Sequence, residues 1–162
     1  MTSQLVPEAR TAATAGTDPQ TVVETFLVAL TKNDFDTAGA LVTDDVVWIN
    51  VGLPTIRGRR GLIKAMAPLA KFGDCFEVYL HRIGTDDGSV LTERTDVLNF
   101  GPVRLQFWVW GRFDVVDGRI ALWRDSFDLV DMTRALVRGL LGAVIPALRP
   151  KAPTSREAPP GR

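Results

Sequence analysis

The chain is predicted to form an α+β domain in which a curved, mostly antiparallel sheet wraps around N-terminal helices into a cone, with a closing C-terminal helix. Three observations carry that expectation. Helical spacing of apolar residues is confined to the chain before Gly73 and to one stretch after Asp128. Between Phe76 and Phe127 the texture is β, rich in branched and aromatic residues and cut by the turn signals Asp86-Asp87-Gly88, Gly101-Pro102 and Asp117-Gly118. Helices first and hairpins later exclude the alternating crossover units of a parallel sheet.

Taken in order, residues 1–17 mix Thr, Ala, Gln and Glu without an apolar run and read as a flexible tail. Asp18-Pro19 opens the first helix, a capping side chain followed by a residue with helical φ. Val22, Val23, Phe26, Leu27 and Leu30 then recur at helical spacing to about Thr31. Asp34 caps a short second helix carrying Phe35, Ala38 and Leu41, which Asp44-Asp45 breaks. Val46 to Val51 alternates as a strand, with Trp48 and Asn50 on one face. After the basic Gly58-Arg59-Arg60-Gly61, a stripe of Leu62, Ile63, Met66, Leu69 and Ala70 forms a helix kinked at Pro68 and capped by Gly73. The basic tetrapeptide lacks the Lys-Ser/Thr continuation of a phosphate loop and reads as a solvated helix start.

The β region then reads as a meander of Phe76–Ile83, Val90–Phe100, Val103–Val116 and Arg119–Phe127, with Gly111 marking a mid-strand bend or bulge. The last helix is expected to turn Leu129, Met132, Leu136, Leu140 and Val144 inward and to end at Pro146. Residues 150–162, with Pro153, Pro159 and Pro160, read as a disordered Pro-rich tail. One domain over 18–149 follows.

The 162 residues are 46% hydrophobic, enough for one core and a cavity beside it. Nineteen Lys and Arg balance nineteen Asp and Glu, so the long-range field of a nucleic-acid binder is missing. A single cysteine, Cys75, and a single histidine, His81, furnish neither an internal disulfide nor a Cys/His zinc site. Cys75 reads as inert packing, and a cytoplasmic setting and an absence of any metal are the expectations. The apolar stretch from Gly139 to Leu148 falls well short of the roughly 20 residues of a membrane span. Trp108 and Trp110 alternate with Phe107 and Val109, which makes both faces of one strand apolar and points to contact between two subunits. His81, opposite in parity to Phe76, Val78 and Leu80, reads as a surface or dimer-face side chain.

Chemistry concentrates in Thr92-Glu93-Arg94-Thr95-Asp96-Val97 and Trp123-Arg124-Asp125-Ser126-Phe127-Asp128. Arg94 and Asp96 share a strand face, and Asp125 comes from a later strand of the same meander. A guanidinium between two acids can bond both, holding one carboxyl protonated and the other ionised, as simultaneous acid and base catalysis requires. On spacing alone such a trio is more often an exposed cross-strand ion pair. Apolar neighbours weigh against that: Val90, Leu98 and Phe100 share the face of Arg94 and Asp96, and Trp123 and Phe127 share that of Asp125. Leu98, Phe100, Trp123 and Phe127 are therefore the candidate substrate-binding side chains. Asp96 is assigned as acid and Asp125 as base, an order the spacing does not decide. Asn50 offers an amide oxygen to orient a water, and Trp48 beside it offers only an N–H.

The motifs Asn50-Val51, Thr92-Glu93-Arg94-x-Asp96-Val97-Leu98, Asp117-Gly118-Arg119-Ile120 and Trp123-Arg124-Asp125-x-Phe127-Asp128 resemble those of the limonene-1,2-epoxide hydrolase family. The likeness covers about Thr21 to Asp131. That family belongs to the nuclear-transport-factor-like or SnoaL-like superfamily of cystatin-like cones. The resemblance implies a cofactor-free, one-step hydrolysis of a hydrophobic epoxide to a vicinal diol. In it Asp125, Asn50 and a tyrosine hold and deprotonate water, Asp96 protonates the epoxide oxygen and Arg94 bridges the acids. The tyrosine position is Trp48 here, and the often aromatic position after Asp125 is Ser126. The apolar C-terminal stretch resembles that of relatives that take bulky lipid-like or sterol-like epoxides, and a terpene-, lipid- or sterol-like epoxide is the expected substrate. The competing expectations are a lipid or steroid carrier on the same cone and a ketosteroid-isomerase-like enzyme.

Overall fold

The computed structural model describes residues 18–72 and 76–153. The tail expected over 1–17, the cap at Gly73, the packing of Cys75 and most of the tail expected from Pro150 lie outside these residues. Pro150 itself is buried.

Helix α1 spans Pro19–Thr31, where the Asp18 carboxylate accepts from Thr21 N at 3.0 Å and Pro19 occupies the first turn. Helix α2 spans Phe35–Ala40 under an equivalent cap from Asp34 to Thr37 N. Strand β1, Val42–Asn50, begins four residues earlier than its alternation suggested, because Val42 pairs with Ile120 ahead of a register shift. Strand β2 is the short Ile56–Arg57, and α3 is Arg59–Met66. No kinked α-helix runs through Pro68: α3 stops at Met66 and a 3-10 stretch continues from Ala67 to Phe72. Proline lacks the N–H that the next α-helical bond needs, and the tighter turn avoids that loss.

Strands β3 (Phe76–Asp86), β4 (Ser89–Phe100), β5 (Val103–Val116) and β6 (Arg119–Ser126) form the expected meander, followed by α4 (Leu129–Val144) and a 3-10 turn, Pro146–Leu148. Positive φ at Asp87, Gly88, Asp117 and Gly118 gives the two tight hairpins the twist that antiparallel strands need. The sheet order is β2-β1-β6-β5-β4-β3, antiparallel except that β1 runs parallel to β6. That one parallel pair sets Trp48 beside Trp123 and Asn50 beside Asp125.

The core lies between α1 and the concave face of the sheet. Phe26 meets Trp123 edge-on at 5.2 Å, and Phe113 stacks on Trp123 at 5.9 Å. Burying these rings contributes the largest apolar areas in the chain. Two sequence expectations fail here. Gly111 is no bulge, since the ladder runs through it unbroken, and the register shift in β5 falls at Asp114/Val115. Helix α4 does not turn its large apolar side chains inward: of the five expected, only Met132 points to the cavity, while Leu129, Leu136, Leu140 and Val144 are exposed. Its buried positions are Gly139 and Gly142, because a Cβ at Gly139 would stand 2.6 Å from the Arg104 carbonyl oxygen of β5. Close backbone approach selects small residues.

Candidate active site

The strands bring the expected polar residues together at one end of an apolar cavity. Strand β4 points Arg94, Asp96 and Leu98 into the concave face, β6 contributes Trp123 and Asp125, and β1 contributes Trp48 and Asn50. Arg94 is completely buried, with Asp96 at 5% and Asp125 at 4% exposure, which removes the exposed ion-pair reading. Its Nε donates to Asp96 Oδ1 at 2.8 Å and its Nη2 to Asp96 Oδ2 at 3.2 Å. Nη2 also donates to Asp125 Oδ2 at 2.5 Å, and Nη1 to Thr92 Oγ1 at 3.1 Å.

β4 and β6 are not neighbours, since β5 lies between them, and the β5 residue aligned with both Thr92 and Asp125 is Gly111. A Cβ there would overlap Arg94 Nη1 and Thr92 Oγ1. Gly111 therefore leaves the space through which the guanidinium crosses a strand to reach the second acid. Its isolated place in a strand pattern was the only signal in the sequence, and close approach was the reading to choose.

Two carboxyls answer one cation in a medium that solvates neither. Burial raises the Asp96 carboxyl above its ordinary range against the opposing pull of Arg94. Burial likewise pushes Asp125 up to about 6, with Arg94 opposing and the Asp96 charge adding to the rise. Burial works against the charge on Arg94, but Asp125 and Asp96 outweigh it and keep the guanidinium protonated. The neutral state of the trio is one proton shared between the two acids.

The cavity has a volume of about 170 Å³. Trp48, Asn50, Asp96, Leu98, Trp123, Asp125 and Phe127 line it, as the sequence suggested. Phe100 is not among the lining residues: it lies at the last position of β4, where it pairs with Val103, two residues beyond Leu98. Lining side chains missed in the sequence include Phe107 and Val109 of β5, Met66 of α3, Leu69, and Met132 of α4. Met66 and Leu69 sat on an apolar helix stripe that is indistinguishable from core packing. Trp48 and Trp123 stack at 4.6 Å and 13°. Trp48 Nε1, Trp123 Nε1 and Asp125 Oδ1 are buried without a hydrogen-bond partner among the described residues, two donors and one acceptor at the polar end of the cavity. The Trp123 indole lies beside the Asp125 carboxyl without completing a bond of good geometry. His81 joins no part of this site: it falls in the bulge between Leu80 and Arg82, with Nε2 2.8 Å from Thr95 Oγ1.

A curved sheet closed on N-terminal helices, with an acid–arginine–acid cluster at the end of an apolar hollow, has the nuclear-transport-factor-like fold. Within it, the model of the limonene-1,2-epoxide hydrolase catalytic domain matches residues 17–138, and the chain belongs to that family. It is 52% identical over 128 residues to epoxide hydrolase EphG of Mycobacterium tuberculosis, covering 78% of this chain and 85% of that one. A solved limonene-epoxide-hydrolase-like epoxide hydrolase from M. tuberculosis superposes with a TM-score of 0.77 at 48% identity, over 87% of this chain and all of the other. A protein of ketosteroid-isomerase-like fold from Catenulispora acidiphila, 14% identical, shares the fold alone, with a TM-score of 0.63 over 72% and 92% of the two chains.

Proposed function

We propose that the chain is an epoxide hydrolase that adds water to a compact hydrophobic epoxide, giving a vicinal diol in one acid/base step without metal or organic cofactor. The observation that carries this is Arg94 bonded to two buried carboxyls at the end of an apolar cavity. Asp125 takes a proton from water through Oδ1, the oxygen that accepts no hydrogen bond from the described residues, as the water oxygen attacks a ring carbon. The C–O bond to that carbon breaks, and Asp96 delivers its proton to the departing oxygen. Arg94 stays charged throughout and holds both carboxyls on the reacting atoms. The Asn50 amide oxygen accepts a hydrogen bond from the second water O–H, which keeps its proton, and the Trp48 N–H in the cavity donates to the water oxygen. Return of the proton from Asp125 to Asp96 closes the cycle.

Leu98, Trp123 and Phe127 form the apolar walls that hold the substrate. At about 170 Å³ the hollow is smaller than the ~300–1,000 Å³ of drug-sized sites, which favours a terpene-sized epoxide over an enclosed sterol. A longer lipid would leave its tail outside, past the exposed Leu53 at the mouth. The catalytic unit is assigned to 18–149. Trp108 and Trp110, exposed side by side at 5.0 Å on the convex face, support a homodimer through that face. The single cysteine and balanced charge favour a cytoplasmic protein with no nucleic-acid partner.

The test is incubation with terpene, styrene, fatty-acyl and sterol epoxides in oxygen-18 water. Labelled diol is the expected product. Tight binding without product would replace hydrolysis by the carrier reading, the one that a tryptophan in place of tyrosine favours.

A further inference from the structure

Helix α4 presents an unusual surface. It meets β5 through Gly139, so its large apolar side chains face away from the protein. Leu136, Leu140 and Val144 form one exposed stripe, and Val137 and Leu141 form a second beside it that continues to Leu148. Arg134 and Arg138 border the second stripe, and with Val137, Leu141 and Leu148 they line a shallow surface groove. From 131 to 153 the sequence holds Arg134, Arg138, Arg149 and Lys151 against one acid, Asp131, which pairs with Arg134 at 3.6 Å. In a chain of zero formal charge, this segment is apolar and cationic.

We propose that the outer face of α4 and the turn after it docks on an anionic lipid bilayer, the leucines and valines entering the interface and the arginines meeting lipid phosphates. A second copy of the chain is the poorer occupant. Two such faces related by a two-fold axis would bring together two sets of cations in excess, since Asp131 pairs with Arg134 and residues 132–153 hold no further acid for Arg138, Arg149 and Lys151. An anionic surface supplies the counter-charge, and an apolar face edged by arginine is the pattern of helices that lie in the membrane interface. No described helix is long and apolar enough to cross a membrane, so the contact is peripheral.

The placement also suits the site. Met132, in the second turn of α4, lines the cavity, and Leu129 lies 3.6 Å from the Cβ position of Gly52, next to Leu53 at the mouth. Docking on α4 therefore brings the cavity entrance to the lipid surface, where hydrophobic epoxides partition. The benefit to the cavity rests on the hydrolase reading, but the docking itself does not.

The experiment is co-sedimentation of the full chain with vesicles of phosphatidylglycerol and phosphatidylcholine, against vesicles of phosphatidylcholine alone. Binding to the anionic vesicles is expected to exceed binding to the neutral ones by about tenfold and to fall with added salt. The Leu140→Glu/Val144→Glu variant should lose that binding while keeping its circular dichroism spectrum and its turnover of a water-soluble epoxide. Absence of vesicle binding by the native chain overturns the proposal. So does dissociation of an oligomer by the same variant without any effect on vesicles, which would make the face a subunit contact.

Discussion

At the scale of residues, two carboxyls with one cation and one proton set a pH dependence of known sign. In the proposed mechanism Asp125 is the base and needs to be ionised, so kcat/KM should climb with pH through about 6. Asp96, the proposed acid, needs to be protonated, and because burial holds its proton above the ordinary range, the rate should fall on the alkaline side. A kcat/KM that stays flat over roughly pH 5 to 7 would remove Asp125 as the base. Stability follows the same groups. Both raised values mean that the folded chain keeps protons that the unfolded chain releases. For Asp125 that contribution is complete below 3.8 and lost as pH rises through about 6. Gly111 is the second case. Its backbone conformation is ordinary for a strand, so Gly111→Ala is a purely steric change against Arg94 and Thr92. Turnover should fall by ~10²-fold and stability by ~1–3 kcal/mol, read from kcat/KM and a thermal melt. The acids and the arginine were legible in the sequence because strand parity and apolar neighbours both pointed to them. Gly111 was legible only as an oddity, since a missing side chain carries no trace of which partner fills its space, and Phe100 shared the right face but lay too far along β4.

At the scale of elements, the hairpins were readable because Asp-Gly turns fix their own geometry. Helix α4 was not, because hydrophobic periodicity tells which residues lie together and not which side meets the sheet. What decides is the spacing between two backbones, and that distance is a tertiary fact. Gly139→Val should therefore do more harm than truncating any large apolar residue of α4. The added side chain meets the Arg104 carbonyl and Val103, costing ~1–3 kcal/mol. Circular dichroism melts of Gly139→Val and Leu140→Ala compare the two, and equal losses would contradict the close-packing account.

At the scale of the molecule, the convex face repeats the question that α4 raises, and the proposed occupant there is a second copy of the chain. Trp110 is half exposed and leans on Trp108 in the middle of a sheet that would otherwise be wet. Trp110→Lys should shift sedimentation from dimer to monomer while leaving the cavity lining in place, since Trp110 points away from it. A chain that sediments as a monomer before the substitution would dismiss the dimer outright. The interposed strand has one more effect. Acid and base stand on β4 and β6, on opposite flanks of β5, so a ring lodged between them has its oxygen drawn to one side while the nucleophile arrives from the other. A cyclic substrate should emerge with inversion at the attacked carbon, as the trans product and not the cis one. Chiral chromatography of the diol reads that outcome directly from the order of strands in the sheet.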